Sequence, residues 1–226
     1  MKGKIFLIAN LKNLKLFRGL TAEEIEKFIH STETKIKSYK RGERILEAFA
    51  KNSNIGVLVS GEAQVLAMDW LGNESVGHSL DPGAMFGTTS AILSEDEIGT
   101  SIQLTKDAQV LWIPYRALLV AGPKLGRIHG IVMKNFLEAF SVKNVLMMQK
   151  IELLSQRTLR ERIILYLIQQ ERRQQSEKIS VPKRGQFAKE LECNRSALTR
   201  EISQMQAENL LEVGKDFLKL NKENLQ

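Results

Sequence analysis

The chain has 226 residues and a formal net charge of +7, with 43% apolar and 26% charged residues. This composition is ordinary for a globular protein of one large or two small domains, and it excludes disordered and fibrous classes. The single cysteine, Cys193, excludes an internal disulfide and fits a reducing compartment.

The N-terminal part of the chain predicts helices. The apolar run 5–9 is too short for a signal-peptide core or a membrane span, so we interpret it as part of a surface helix. The sequence therefore predicts a cytoplasmic protein with no membrane partner. In the segment 21–30, Thr21 and Glu24 form a capping-box pattern ahead of apolar residues at helical spacing, which predicts a second helix.

Short runs of β-forming residues follow, separated by turns that contain Gly42, Gly61, Gly72 and Gly83. Brief strands that are punctuated by glycine favour a compact antiparallel barrel or roll. The predicted strands are 36–39, 56–60, 63–68, 75–80, 101–104 and 110–113.

A glycine-poor segment from 128 to 154 predicts one helix about 40 Å long, longer than most helices that only cover a core. A second apolar flank at Leu137, Val145 and Leu146 could face the roll. Burial of the whole helix against its own roll is the alternative. The stripe that predicts a homodimer interface consists of Ile128, Val132, Phe136, Phe140, Met147, Ile151 and Leu154.

A second capping box, formed by Thr158 and Glu161, predicts a new helix over 159–172 and a hinge near 156–158. The expected domains are a roll with N-terminal helices over 1–122, a dimerisation helix with its hinge over 123–157, and a C-terminal domain over 158–226.

The segment 184–205 predicts two short helices around a tight turn. Asn194 is a good N-cap, so the second helix is expected to begin beside it. An ordinary amphipathic helix pair with solvated arginines is the alternative. Apolar anchors are expected at Phe187, Leu191, Cys193, Leu198, Ile202 and Met205, and the outward face would carry Asn194, Arg195, Ser196, Thr199 and Arg200.

A β-hairpin is expected after this helix pair, with arms at 209–213 and 217–220 and a turn that begins at Gly214. A hairpin behind a helix-turn-helix defines a winged helix. Residues 156–226 carry 14 Lys or Arg and 10 Asp or Glu, which gives +4 of the total charge. The expected fold is thus α+β: an N-terminal antiparallel β-roll, a long dimerisation helix and a C-terminal winged helix-turn-helix.

This order of elements resembles the cyclic-AMP receptor protein and FNR (Crp-Fnr) family of bacterial transcription regulators. The resemblance is carried by VSGEA at 59–63, DPGAMFG at 81–87 and LECNRSALTR at 191–200. It implies a cyclic-nucleotide-binding-like roll and a homodimer on a two-fold-symmetric double-stranded operator, with an effector site between the roll and the long helix.

The resemblance also implies DNA contacts, in which Arg195 and Arg200 meet bases and Ser196 and Thr199 complete the readout. Ser196 stands where many relatives carry glutamate, so an operator sequence cannot be borrowed from them. From their places at the start of the first motif helix, Lys183 and Arg184 are expected to hold phosphates.

The sensor half departs from the nucleotide-binding relatives. Positions that hold ribose and phosphate there fall on Thr88, Ile98 and Gly99, and the helix positions that reach adenine fall on Met147 and Met148. We therefore expect no cyclic AMP binding, and an unknown effector would have an apolar part. A packing role for the two methionines is the alternative.

No cofactor, metal site or catalytic residue is predicted. One cysteine excludes an FNR-type cluster, and His30, His78 and His129 lack a second nearby ligand. The leading hypothesis is a non-enzymatic, sequence-specific DNA-binding transcription regulator, for which RNA polymerase is a candidate partner. The alternatives are a regulator whose roll is vestigial and a cupin-like metalloenzyme.

Overall fold

The computed structural model describes residues 10–93, 99–120 and 125–225. The chain divides into two compact units, Met1–Phe140 and Ser141–Gln226, which are treated separately below. The predicted helical run 5–9 lies outside the described residues. Within the described ranges, no helix is both long enough and apolar enough to cross a membrane.

In the first unit, a 3₁₀ turn, Lys15–Phe17, precedes helix α1, Ala22–Ser31. The predicted capping box is present, because the Glu24 backbone N–H donates to Thr21 Oγ1 at 3.2 Å and the Thr21 N–H donates to Glu24 Oε2 at 2.9 Å. Phe17 and Phe28 are fully buried and meet edge to face, with their ring centroids 5.8 Å apart.

Eight strands form the antiparallel roll as two four-stranded sheets, ordered β1-β8-β3-β6 and β2-β7-β4-β5. The six predicted strands are present within one or two residues of their expected ends, and β2 and β6 were not predicted. The strands are β1 Lys35–Tyr39, β2 Arg44–Leu46, β3 Asn54–Ser60, β4 Ala63–Met68, β5 Glu74–Leu80, β6 Met85–Phe86, β7 Thr100–Leu104 and β8 Ala108–Pro114.

Three helices follow parts of the roll: α2 Thr88–Leu93, α3 Arg116–Leu119 and α4 Gly126–Leu154. The first sheet separates two apolar clusters. Its outer face packs with the N-terminal helices and the first half of α4, through residues such as Ile55, Leu111 and Val132. Its inner face contributes to the cluster inside the roll, which contains Leu58 and Val110.

The predicted dimer stripe on α4 needs correction in its first half. Ile128, Val132 and Phe136 are buried in the core of their own unit, packed with the N-terminal helices, so they cannot face a partner. Phe140, Met147 and Ile151 are exposed, and Leu154 is half-buried. Residues spaced by four drift about 40° around a helix at each step. The seven positions therefore do not share one environment.

The second apolar flank on α4 was also assigned to the wrong surroundings. Leu137, Val145 and Leu146, which were expected to face the roll, are exposed. The spacing of apolar residues indicates which positions share a face of a helix, but it does not indicate which surface that face meets.

The second unit contains α5 Leu159–Gln174, β9 Ile179–Ser180, α6 Arg184–Glu190, α7 Arg195–Ala207, β10 Leu211–Val213 and β11 Phe217–Leu220. The three strands form an antiparallel sheet ordered β10-β11-β9. The capping box of α5 is present, with the Glu161 N–H donating to Thr158 Oγ1 at 3.1 Å. The break between α4 and α5 lies at the predicted hinge. The division into three functional domains stays a prediction.

Candidate nucleic-acid interface

Helices α6 and α7 are joined by a tight turn. The Cys193 N–H donates to the Ala188 carbonyl at 3.0 Å, and the Glu192 N–H donates to the Lys189 carbonyl at 3.2 Å. This pair of bonds is a Schellman motif, which requires a left-handed residue after the helix. Glu192 has that conformation, with φ of 50°, although glycine is the residue that adopts it most easily.

Helix α7 begins at Arg195, directly after Asn194, as predicted. Asn194 has extended backbone angles, but its side chain makes no capping hydrogen bond. The Asn194 side chain is exposed and is not bonded to the backbone of α7.

The two faces of α7 differ as the sequence predicts. Leu198, Ile202 and Met205 are buried in the core of the second unit, where Phe187, Ala188 and Leu191 of α6 are also buried. The other face is exposed, and it carries Asn194, Arg195, Ser196, Thr199 and Arg200.

The polar groups of this exposed face are largely unengaged. Neither Arg195 nor Arg200 forms an ion pair or a side-chain hydrogen bond with any residue that the structure describes. The Thr199 hydroxyl donates to the Arg195 carbonyl at 2.9 Å, so its proton is used within the helix and its oxygen remains an acceptor. The face therefore presents guanidinium donors together with hydroxyl and amide groups.

Arg160 of α5 pairs with the acidic residues of α7 and of its C-terminal end. The sequence did not reveal this interaction. Arg160 donates to Glu201 at 2.7 Å and to both oxygens of Glu208 at 2.6 and 3.0 Å. The hydrogen bonds from Arg160 are the main reason that the pKa of Glu208 is lowered. No periodic signal in the sequence identifies such a contact, since Arg160 lies about 40 residues or more from both glutamates in the chain.

The predicted hairpin is present behind α7. Strands β10 and β11 pair antiparallel, with Val213 opposite Leu218. In the turn, the Gly214 N–H donates to the Phe217 carbonyl at 3.0 Å, and the Phe217 ring occupies the space that a side chain at Gly214 would need. Glycine is therefore required at this turn for steric reasons.

The expected phosphate-binding residues lie at the start of α6. Lys183 is exposed at the N-cap position, and Arg184, in the first turn, is half-buried. Burial lowers the pKa of Arg184, but a guanidinium stays protonated at neutral pH. Cys193 packs against the core of the unit, and burial raises the pKa of its thiol, as suits a structural residue.

The predicted effector positions are not assembled into one site by the described residues. Thr88 is buried at the start of α2, whereas Met147 and Met148 are exposed on α4, and Ile98 lies outside the described ranges. A side chain at Gly99 would lie 3.0 Å from the Met68 carbonyl oxygen and 3.1 Å from the Phe49 ring. The neighbourhood of Gly99 is thus already filled.

A metal centre finds no support in the described ranges. They contain no cluster of three or more His, Cys, Asp or Glu side chains that could hold a metal ion. The His129 ring forms a hydrogen bond with the Leu118 carbonyl oxygen at 3.0 Å, which gives this histidine a local structural role.

Comparison with known proteins agrees with the roll and with the order of the elements. Residues 36–121 match the family model of the cyclic nucleotide-binding domain. No curated protein sequence matches the chain.

Three solved structures share the fold over most of the chain. The catabolite activator protein of Thermus thermophilus is 20% identical over 92% of this chain and 94% of its own, with a TM-score of 0.52. The c-di-GMP responsive global regulator CLP of Xanthomonas campestris is 16% identical over 88% and 99%, with a TM-score of 0.56. CprK complexed with OCPA is 13% identical over 88% and 94%, with a TM-score of 0.62.

The protein therefore has a cyclic-nucleotide-binding-like roll. Its fold is shared by these three solved structures over most of the chain, and the resemblance predicted from the sequence motifs is confirmed at the level of the fold.

Proposed function

We propose that this protein is a dimeric, sequence-specific DNA-binding transcription regulator of the Crp-Fnr type. The observation that carries the proposal is the exposed face of α7, where Arg195 and Arg200 have no partner among the described residues. In this proposal α6, α7 and the hairpin are a winged helix-turn-helix, and α7 is the recognition helix.

The chemistry of the exposed face suits the major groove. An arginine can donate two hydrogen bonds to the O6 and N7 atoms of guanine, which is the commonest specific contact between proteins and DNA. Asn194 and Ser196 lie in or next to the first turn of α7, the part of a recognition helix that reaches base edges. Lys183 and Arg184 would hold phosphates, which supply affinity without sequence information.

The homodimer would form through the second half of α4. A helix that is apolar on all sides is normally buried, and this stretch exposes Leu137, Phe140, Val142, Val145, Leu146, Met147, Met148 and Ile151. A second copy supplies an identical apolar helix, and a two-fold interface between copies matches a two-fold operator.

Selection from a random pool of double-stranded DNA tests this function. We expect recovery of sequences with two inverted half-sites about 10 base pairs apart, the spacing of one helical turn. Recovery of no preferred sequence, at a salt concentration where the protein still binds DNA, would contradict the proposal.

The roll would regulate DNA binding without using cyclic AMP. A buried cyclic phosphate needs a charged or hydrogen-bonding partner, and Gly99 offers no side chain and little space. Thr88 cannot supply the two acceptors of a carboxylate. We expect calorimetry to detect no binding of cyclic AMP or cyclic GMP, and a dissociation constant near or below about 1 μM would refute this expectation.

A further inference from the structure

The first unit contains a solvent-open cavity of about 730 Å³ at one end of the roll. Pockets for small organic molecules occupy roughly 300–1,000 Å³. Neither Thr88 nor Gly99, the described effector positions of the roll, lines this cavity. The cavity therefore does not include these two expected effector positions.

The cavity arises from the alternation of residues on β1 and β8. Lys35 lies directly opposite Trp112 in the antiparallel pair, so the two side chains project from the same face of the sheet. Lys37 and Tyr39 follow at every second residue and share that face. The intervening Ile36 packs against the apolar cluster on the other face. At the edge strand β1, the inner face of the sheet therefore carries lysines at positions where a core would have apolar residues.

Aromatic rings form the floor of the cavity. The Trp112 Nε1–H donates to Tyr39 Oη at 2.9 Å, which leaves the Tyr39 hydroxyl proton available to a ligand. The Phe86 ring meets Trp112 edge to face, with centroids 5.4 Å apart, and the lack of a side chain at Gly56 makes room for the Phe86 ring. These contacts fix the orientation of Trp112.

The charges around the cavity favour an anion. Four basic and two acidic residues line it, which gives a formal charge of +2; they are Lys35, Lys37, Lys51, Arg116, Glu33 and Glu47. The side chains of Lys35, Lys37 and Arg116 form no ion pair or hydrogen bond with any described residue. In contrast, the nearby Lys40 pairs with Asp107 at 2.8 Å and Arg44 pairs with Glu74 at 2.6 Å.

We propose that this cavity binds a small organic anion with a planar ring. The carboxylate or phosphate group of the ligand pairs with Lys35, Lys37 and Arg116, and its ring packs against Trp112 and Tyr39. Lysines on an edge strand can also serve only to prevent edge-to-edge pairing of sheets. That role requires no ligand, so a binding measurement distinguishes the two. Binding is measured without DNA and is independent of the proposed function.

Tryptophan fluorescence provides a local signal, because the chain has only two tryptophans. Trp70 is 90% exposed in the turn between β4 and β5, so a Trp70→Phe variant leaves Trp112 as the only reporter. Phenyl phosphate and benzoate are the probes, inorganic phosphate tests the anion alone, and benzamide tests the neutral ring. We expect a saturable change in Trp112 emission with at least one ring-bearing anion, and weaker or no binding of the two controls.

Charge removal tests the assignment of the ligand's anionic group. The double variant Lys35→Gln and Lys37→Gln should bind the probe about tenfold more weakly or worse, because hydrogen bonds to a charged group are lost. Lys27→Gln on α1 removes an equally exposed lysine outside the cavity and should bind normally. Arg116→Gln is a second, independent variant in case the double variant fails to fold.

Three results would overturn the proposal. The first is the absence of saturable fluorescence or calorimetric signal with both ring-bearing anions up to about 1 mM. The second is equal affinity for phenyl phosphate and inorganic phosphate, which would remove the ring contact. The third is unchanged affinity in a folded Lys35→Gln and Lys37→Gln variant or in Arg116→Gln.

Discussion

The two halves of helix α4 are similar in composition and opposite in environment. In the first half, Ile128, Val132 and Phe136 are buried in the core of the first unit. In the second half, from Leu137 to Ile151, the apolar side chains are exposed on all sides of the helix. One helix thus completes the core of the first unit and then continues with exposed apolar side chains.

Under the proposed function, the second half is kept apolar for the partner subunit. Exposed apolar side chains on every side of a helix cost solubility and are retained where a second surface covers them. In this proposal the first half of the helix stabilises the core and the second half forms the dimer, so a change in either half should have a distinct consequence.

The largest effect is expected at Val132, which is 0% exposed. Val132→Asp would bury a carboxylate without a partner and should lower the free energy of unfolding by about 3–5 kcal/mol, a large part of the usual stability of a domain. Urea unfolding checks this result. Val76→Asp, at an exposed valine of the same unit, should cost at most about 1 kcal/mol. Equal losses in both variants would break the contrast between buried and exposed positions.

The second half of α4 should respond through assembly rather than through folding. Phe140→Asp should leave the protomer folded and weaken the dimer by about 2 kcal/mol or more, roughly 30-fold, because a charge at the seam has no partner. Sedimentation velocity checks this result, with Phe49→Asp as the control at another exposed phenylalanine. An unchanged dimer for both Phe140→Asp and Met147→Asp would remove this interface.

Much of the fold could be predicted from local signals. The capping boxes at Thr21 and Thr158 and the turn at Gly214 depend on neighbouring residues, and each is present as expected. Strands β2 and β6 could not be predicted, because they have three and two residues and are defined by pairing with distant strands.

The candidate nucleic-acid interface was also predictable where it depends on local sequence. The exposed face of α7 follows from the helical period, because Leu198, Ile202 and Met205 fix the buried side. The hydrogen bonds from Arg160 to Glu201 and Glu208 were not predictable, since they depend on how α5 and α7 pack. The faces of α4 were assigned incorrectly for the same reason.

A smaller effect is expected at the turn that positions α7. Glu192 has a left-handed backbone with φ of 50°, which costs a non-glycine residue about 1–2 kcal/mol. Glu192→Gly should therefore raise the free energy of unfolding of the second unit by about 1 kcal/mol in a urea titration. Gln206→Gly, within α7, should change it in the opposite direction. Destabilisation by Glu192→Gly would mean that its side chain is needed for the turn.

Binding of Arg195→Ala to a selected operator tests the central claim most directly. Titrations of the native protein and the variant on the operator, and on operators with single base-pair changes, measure affinity and specificity together. The account predicts a loss of about 1–3 kcal/mol and relaxed specificity at one position in each half-site, because one arginine reads one guanine. Arg172→Ala on α5 removes an exposed arginine outside the motif and should leave specificity unchanged. Unaltered affinity and specificity in Arg195→Ala would contradict the assignment of α7 as the recognition helix.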